Sequence, residues 1–387
     1  MDFLLSADEL QARTGAKWRM YPPDVLPSFV AEMDFKVAPA IQDAIRDLVE
    51  REDYGYGQLT DPNQLFEAFA SWMQLRHGWQ PDPAATIALT DVVQGLVATI
   101  IAFSEKSDGV IAQTPAYPPF LKTVEWTGRR LVDNPMVDDG TRFVIDLAGL
   151  ERAAGEASMI FVCNPQNPTG RVLERAELEG VAAIAAAHDL IIVADEIHAD
   201  LVYPGVKHVP METIADAATR TVTLTSATKG FNLPGLRTAV AHFGTPELKM
   251  RFDARLPEHL LGGPSRIGIA ATIAAWRHGQ GWLDNVMAYL DGNRRRVAQW
   301  TIAHRLGHHM PEATYLAWLD CRGLPMEGGV SPQQHFLDRA RVALSHGPDF
   351  GEAGVGHVRL NFATSAEILD EILGRLGNAL ELGARAD

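Results

Sequence analysis

The middle of the chain alternates short apolar runs with longer amphipathic stretches. Runs rich in Val, Ile and Thr are predicted as buried strands, at residues 86–90, 109–113, 158–163, 190–194, 221–225 and 238–242. Helical patterns fall between them, at residues 93–104, 117–127, 174–188 and 247–255. Continuously apolar strands that alternate with helices are typical of a mostly parallel sheet covered by helices. The pattern therefore predicts an α/β fold.

The rhythm changes after residue 280. A long helical stretch at 281–306 is followed by a predicted strand, helix, strand and helix at residues 314–320, 332–343, 357–362 and 366–382. The first 35 residues contain several prolines and only weak helical patterns, so we expect them to wrap against another part of the molecule. These features predict an N-terminal segment (1–45) associated with a small α+β domain (281–387), and a large domain (46–280) between them.

Composition narrows the class of protein. With 34 Lys and Arg against 49 Asp and Glu, the net charge is −15, which disfavours binding to nucleic acid or to an anionic membrane. Two cysteines are too few for a disulfide framework, and no uninterrupted apolar stretch reaches the roughly 18 residues that span a bilayer. The acidic N-terminus does not resemble a signal peptide. We therefore expect a cytoplasmic protein that acts on a small molecule.

Polar residues follow three of the predicted strands directly. Residues 164–170 read Asn-Pro-Gln-Asn-Pro-Thr-Gly, residues 195–200 read Asp-Glu-Ile-His-Ala-Asp, and residues 226–229 read Ser-Ala-Thr-Lys. The carboxyl ends of parallel strands meet at one edge of a sheet, which is where open α/β folds bind ligands. An amide, a carboxylate and an amine therefore converge there. Pyridoxal 5′-phosphate (PLP) chemistry needs such a set, because a lysine forms the Schiff base and a carboxylate keeps the pyridine nitrogen protonated.

These motifs resemble those of the fold-type I PLP enzymes of the class I/II aminotransferase superfamily, and within it the MalY/PatB-like cystathionine β-lyase group. The resemblance runs from Phe-Val-Ala-Glu-Met-Asp-Phe at 29–35, through 164–170 and 226–237, to Val-Arg-Leu-Asn-Phe-Ala at 358–363. It implies PLP as the cofactor and the PLP-dependent transferase fold of type I. In that fold the large domain has a mostly parallel seven-stranded sheet flanked by helices.

The resemblance implies a role for each matching residue. Lys229 would be the Schiff-base lysine that also moves the Cα proton, Asp195 would pair with the pyridine nitrogen, and Asn167 would bond the phenolic oxygen. His198 stands where transaminases of the superfamily usually carry tyrosine, and we expect it to contact the cofactor. Tyr117 would stack on the cofactor ring.

The phosphate is expected on the turn at residues 93–96, where free N–H groups at a helix start would meet the anion. Gly95 and Leu96 are the residues assigned to this turn, with help from Ser226 and Arg237.

The resemblance also implies a homodimer in which Tyr56 reaches the phosphate of the neighbouring subunit. Arg359 would clamp the substrate α-carboxylate, and Asp34 is the second residue expected to bind substrate. No metal site is expected.

Three functions remain open at this stage. The first is a carbon–sulfur β-lyase that cleaves L-cystathionine or related L-cysteine S-conjugates to a thiol, pyruvate and ammonia. The second is an aminotransferase, which Arg237 favours because many members of the lyase group lack it. The third is a non-catalytic regulatory protein, which the retained chemical residues disfavour. His198 and the segment 30–35 favour the lyase, although Glu32 replaces the aspartate that is usual in the group.

Overall fold

The computed structural model describes residues 3–55, 63–257, 260–324 and 329–383. Tyr56, the residue expected to reach a neighbouring subunit, lies outside these ranges. The helices are α1 Ala7–Gln11, α2 Ala16–Arg19, α3 Pro39–Glu50, α4 Asn63–His77, α5 Val92–Phe103, α6 Pro118–Trp126, α7 Leu147–Ala154, α8 Arg175–Ala187, α9 Ala227–Gly230, α10 Pro246–Arg255, α11 Arg266–His278, α12 Gln280–Ala303, α13 Pro332–His335 and α14 Ala366–Gly383. The strands are β1 Leu26–Pro27, β2 Thr86–Leu89, β3 Gly109–Ala112, β4 Arg130–Asp133, β5 Val137–Asp138, β6 Phe143–Val144, β7 Met159–Cys163, β8 Ile191–Asp195, β9 Thr221–Thr225, β10 Ala239–Phe243, β11 Leu316–Asp320, β12 Val342–Ala343, β13 Ser345–His346 and β14 His357–Asn361. No helix in the described part of the chain is long and apolar enough to cross a membrane.

The main sheet has seven strands in the order β2-β10-β9-β8-β7-β3-β4. The strands from β9 to β4 run parallel, and β10 is antiparallel to both of its neighbours. The expected α/β class with a mostly parallel seven-stranded sheet is thus confirmed. The pattern analysis missed β4, because three of its four residues are exposed and it lacks the apolar run of the central strands.

Alternate residues of the central strands enter two different cores. In β7, Phe161 packs with helices on one face of the sheet and Ile160 packs with α7 and α8 on the other. Both side chains are almost fully buried. Because both faces are covered, the strands are apolar throughout, and polar side chains are placed only where each strand ends.

A smaller antiparallel sheet, in the order β11-β14-β13, lies in the C-terminal part of the chain. A separate parallel pair, β1 with β12, joins the N-terminal residues to this part of the chain. The helix expected at 332–343 is wrong at its C-terminal end. α13 ends at His335, a π-helical turn covers Phe336–Ala340, and Arg341 adopts a left-handed conformation with φ 54°. Residues 342–343 form a strand instead, because they pair with β1.

Candidate active site

A cavity of about 640 Å³ opens at the carboxyl ends of β7, β8 and β9. It brings together most of the residues singled out from the sequence. Its walls include Tyr117, Asn167, Asp195, His198, Ser226, Lys229 and Arg237, together with Ala31, Asp91, Val92, Val93, Cys163 and Thr228.

Lys229 projects from the short helix α9, which Ser226 caps by accepting a hydrogen bond from the Thr228 N–H. The Lys229 Nζ donates to the Ala31 carbonyl at 2.8 Å. Burial, and after it the nearby Arg359 guanidinium, lower the pKa of the amine to about 8. A large fraction of this lysine is therefore neutral near pH 8, which a nucleophile or a proton acceptor requires.

Asp195 ends strand β8, where it pairs in register with Cys163 of β7 and Leu224 of β9. Its carboxylate accepts a hydrogen bond from the Ile197 N–H at 3.0 Å. Burial raises the pKa of this carboxyl to about 7. A buried carboxylate of this basicity is suited to pairing with a protonated ring nitrogen.

Arg359 lies on β14 and reaches across to the turn after β7. Its Nη1 donates to Asn167 Oδ1 at 2.8 Å, and its Nη2 donates to the Phe29 carbonyl at 2.9 Å and to Ser345 Oγ at 3.1 Å. The guanidinium also stacks on Phe350, 4.9 Å from the ring centre. Burial lowers its pKa to about 10, and its buried Nε has no partner among the described residues. A guanidinium with a spare donor is suited to binding a carboxylate.

His198 follows β8 and is 2% exposed. Burial lowers the pKa of its imidazole to about 3, so the ring is neutral at physiological pH. The buried Nδ1 has no hydrogen-bond partner in the described part of the chain. An unsatisfied polar atom in a cavity wall indicates that a bound group supplies the missing partner.

Tyr117 lines the cavity, and a second tyrosine, Tyr315, shares a hydrogen-bond acceptor with Lys229. Tyr117 precedes α6, and burial raises its pKa. Tyr315 donates its hydroxyl hydrogen to the Ala31 carbonyl at 3.0 Å, the same oxygen that accepts from Lys229. The ring of Tyr315 meets His198 edge to face at 6.4 Å. The Ala31 carbonyl thus connects the N-terminal residues to the lysine.

Gly95, which was assigned with Leu96 to the anion site, has no free N–H in the structure. Helix α5 begins at Val92, so the Gly95 N–H is already bonded within the helix to the Asp91 carbonyl. A Cβ on Gly95 would lie 2.8 Å from Leu224 Cδ2, which shows that this residue packs against the sheet. The cavity wall is formed instead by the earlier residues Val92 and Val93.

Ser226 and Arg237 lie at this same end of the cavity. Ser226 Oγ donates to the Thr238 carbonyl at 2.5 Å. The largely exposed Arg237 forms an ion pair with Asp91, the residue that caps α5.

Asp34 does not line the cavity, contrary to its expected role in substrate binding. Its carboxylate accepts from Lys17 Nζ at 2.8 Å and from Trp18 Nε1 at 2.7 Å, and it is 2% exposed. Both carboxylate oxygens are bonded and buried. Asp34 therefore fixes its own segment, residues 29–35, to the helix α2.

Sequence reasoning missed three residues around the lysine: Ala31, Asp91 and Tyr315. Ala31 lies in the 29–35 motif but contributes only a backbone carbonyl, which any residue has. Tyr315 lies just before β11, far from Lys229 along the chain, so no local motif marks it. Asp91 could have been found, because an aspartate just before a helical pattern is a common N-cap.

The sequence profile described as "Aminotransferase class I and II" matches residues 30–376. A Mycobacterium leprae protein that is provisionally named a cystathionine beta-lyase is 40% identical to this chain. The match covers 97% of each protein. "Cystathionine beta-lyase PatB" of Bacillus subtilis is 33% identical, covering 92% of this chain and 93% of the relative. The crystal structure of cystalysin from Treponema denticola, described as containing PLP, superposes with a TM-score of 0.91 at 27% identity, covering 98% of each chain.

The profile match over nearly the whole chain defines the class of protein. The chain belongs to the aminotransferase class I and II family, as the motifs at 164–170 and 226–237 predicted.

Proposed function

We propose that this protein is a PLP-dependent carbon–sulfur β-lyase that cleaves L-cystathionine, or a related L-cysteine S-conjugate, to a thiol, pyruvate and ammonia. The observation that carries the proposal is the convergence of Lys229, Asp195, Asn167 and His198 on one cavity, with Arg359 bonded to Asn167 beside it. The relatives named as cystathionine beta-lyases cover nearly the whole chain, which supports the same assignment.

The residues of the cavity fit PLP. His198 Nδ1 is a buried polar atom that lacks a partner, and Asp195 is a buried carboxylate without a counter-cation bonded to it in the described residues. A pyridoxal ring offers a phenolic oxygen and a protonated nitrogen, which such groups can bind. When bound, PLP supplies an aldehyde that condenses with amines and a ring that withdraws electrons from the substrate Cα.

Lys229 is the group proposed to hold the aldehyde and then to accept the Cα proton. Its lowered pKa leaves the amine neutral often enough to act as a base. As the Cα–H bond breaks, its electron pair moves toward Cβ and the Cβ–S bond breaks. The sulfur leaves with its own electron pair as a thiolate and takes up a proton. The released 2-aminoacrylate is hydrolysed by one water molecule to pyruvate and ammonia.

Arg359 and Asn167 are proposed to orient the amino acid. The Arg359 guanidinium can bind the substrate α-carboxylate through its Nε, which lacks a partner in the described structure. Asn167 anchors the other side of the same guanidinium. This arrangement fixes the Cα–H bond relative to Lys229 before the proton moves.

The lyase and the aminotransferase differ in their need for a second substrate. A lyase releases pyruvate from L-cystathionine whether or not a 2-oxo acid is present, whereas a transaminase stops after one half-reaction without it. We expect pyruvate release by the PLP-loaded protein to be unchanged when 2-oxoglutarate is left out, as measured by coupling to lactate dehydrogenase. Dependence of turnover on the 2-oxo acid would make the protein an aminotransferase.

We further propose that the working unit is a homodimer in the cytoplasm, with Tyr56 of each chain reaching the cofactor phosphate of the other. The two cysteines are free and buried, which suits a reducing compartment. Sedimentation of the PLP-loaded protein tests the dimer. A Tyr56→Phe variant tests the shared site, since it should weaken PLP binding without changing the mass of the particle.

A further inference from the structure

The turn at residues 195–200, here called the Asp195 turn, has two chemically different sides. Asp195 and His198 line the cavity. Glu196 and Asp200 face the opposite side and are 1% and 7% exposed. Two carboxylates are thus buried directly behind the residues that are proposed to bind the cofactor. In the described ranges no cluster of His, Cys, Asp and Glu is arranged to hold a metal ion.

Glu196 fixes the first half of this turn. Its Oε1 accepts from the Met211 N–H at 2.8 Å, and its Oε2 lies 3.2 Å from His208 Nε2. Its own backbone N–H donates to the Leu224 carbonyl at 2.8 Å, which continues the sheet beyond Asp195. Side chain and backbone therefore hold the residue next to Asp195 from both sides.

Asp200 fixes the second half. Its Oδ1 accepts from Trp72 Nε1 of α4 at 2.8 Å, and His77 Nε2 of the same helix lies 3.9 Å away. A Cβ added to Gly230 would lie 3.2 Å from the Asp200 Cβ, so Asp200 also packs against the residue that follows Lys229. Asp200 therefore contacts both α4, through Trp72, and α9, the helix that carries Lys229.

The two halves are in contact with each other. The rings of His77 and His208 meet edge to face with their centres 5.0 Å apart. Burial lowers the pKa of His77, so this imidazole is neutral when it packs there. A buried polar group that loses its hydrogen-bond partner costs free energy. Each residue of this buried network therefore holds its neighbours in place.

We propose that Glu196 and Asp200 are positioning residues, which hold the Asp195 turn from behind so that Asp195 and His198 meet the cofactor. This inference rests on the proposed function, because it assigns the turn to PLP binding. Neither carboxylate touches the cavity, so their effect on PLP is transmitted through the turn.

The chain offers a matched control for Glu196. Glu212 is also a buried carboxylate paired with a histidine, since it lies 2.9 Å from His242 Nδ1 and accepts from Thr223 Oγ1 at 2.7 Å. The Glu196 and Glu212 carboxylates lie near enough to repel each other, but among the described residues Glu212 exchanges no hydrogen bond with the Asp195 turn. Glu196→Ala and Glu212→Ala should therefore cost similar stability, whereas only the first should disturb the turn.

The test compares melting temperature with the affinity of the dialysed protein for added PLP, followed by visible absorbance and circular dichroism. We expect Glu196→Ala to weaken PLP binding about tenfold or more, the effect of losing one or two buried hydrogen bonds. Glu196→Gln, which keeps an acceptor for Met211, should restore binding to within about threefold of wild type. Glu212→Ala should leave PLP affinity within about twofold while lowering the melting temperature.

A second pair of variants covers the case in which Glu196→Ala does not fold. Trp72→Phe removes the donor to Asp200 and keeps an aromatic ring in the core. Trp79→Phe makes the same loss of volume at a buried tryptophan that does not contact the turn, and serves as the control. Only Trp72→Phe should weaken PLP binding and alter the visible dichroism of the bound cofactor. The inference is overturned if Trp72→Phe or a folded Glu196→Ala binds PLP like wild type, or if both glutamate variants lose affinity equally.

PLP affinity is independent of the reaction that follows. If wild type binds PLP but releases no pyruvate, the proposed function fails while the positioning role can still be measured.

Discussion

The two sides of the cavity are held by different physical means. On the sheet side, Asn167, Asp195 and Lys229 follow neighbouring parallel strands, whose register fixes their spacing. On the other side lies a strap, residues 29–33, which belongs to no strand. Its carbonyls accept hydrogen bonds from side chains: Phe29 from Arg359, Ala31 from Lys229 and Tyr315, Val30 and Glu32 from Asn361, and Met33 from Asn232.

This difference determines how each side fails. A strand end is supported by a sheet that is apolar on both faces, so its position depends on the cooperative core. The strap depends on a few individual side chains, and removing one of them takes a donor from one or two of its carbonyls. Single substitutions should therefore displace the strap more readily than the sheet.

The largest effect is expected where both sides meet, at Lys229. Lys229→Ala removes the proposed proton acceptor and the amine that holds the cofactor, so pyruvate release should fall by at least about a thousandfold. The control is Lys249→Ala, on the surface of α10, which should leave the rate unchanged. Retention of a tenth of the wild-type rate by Lys229→Ala, measured after PLP loading, would exclude this mechanism.

The second-largest loss of activity is expected for Arg359→Lys. A lysine cannot reproduce the bonds to Asn167, Phe29 and a substrate carboxylate together, so kcat/KM should fall about a hundredfold, mainly through KM. Arg341→Lys, in an exposed ion pair with Asp24, is the control. An unchanged KM for L-cystathionine in Arg359→Lys would argue against carboxylate binding there.

A more selective test separates the strap from the core. Asn361 donates to the Val30 and Glu32 carbonyls, and Asn293 donates in the same way to two carbonyls outside the strap. Each Asn→Ala change should cost about 1–3 kcal/mol of stability, because buried carbonyls lose their donors.

Only Asn361→Ala should also lower kcat/KM, by about tenfold, because the strap positions the Ala31 carbonyl at Lys229. Equal losses of kcat/KM in the two variants would show that the strap is no more sensitive than the rest of the fold.

The smallest expected effect concerns Asp195, on the sheet side of the cavity, in the protein without PLP. The pKa of Asp195 is about 7 in the folded protein, against an ordinary value of 3.8, so burying its ionised form opposes folding. This penalty is absent well below pH 4, grows as the pH rises to about 7, and is constant above it. Asp195→Asn should therefore raise the melting temperature of the PLP-free protein by a few degrees at pH 8 and not at pH 4.

Melting curves of the two PLP-free proteins across this pH range measure the difference. The Lys229 ammonium favours ionised Asp195 and Glu196 opposes it, so Lys229→Ala should enlarge the gain. Equal melting temperatures at every pH would contradict the assigned penalty.

The sheet side was largely predictable from the sequence and the strap side was not. Strand ends are marked by local patterns, as in the apolar run that stops at Asp195, and the motifs that follow carried the family resemblance. Asp34 lay in the 29–35 motif, which follows no predicted strand. Its carboxylate is occupied by Lys17 and Trp18, contacts that no spacing along the chain reveals. The Ala31 carbonyl was equally invisible, because any residue has one.

The start of α5 is a second place where sequence and structure differ. The phosphate was expected on the turn at residues 93–96, with Gly95 and Leu96 assigned to it, because free N–H groups were expected there at a helix start. The N-cap Asp91 begins α5 earlier and uses the Gly95 N–H inside the helix. An N-cap search before the periodic residues would have moved the site toward Val92 and Val93.

The most direct test of the central claim counts products per subunit. PLP-loaded protein is mixed with excess L-cystathionine in the absence of any 2-oxo acid, and pyruvate, ammonia and thiol are measured in the same samples. We predict equal amounts of the three products, accumulating over many turnovers. A yield of no more than one product molecule per subunit, or a thiol without matching pyruvate, would contradict the assignment as a carbon–sulfur β-lyase.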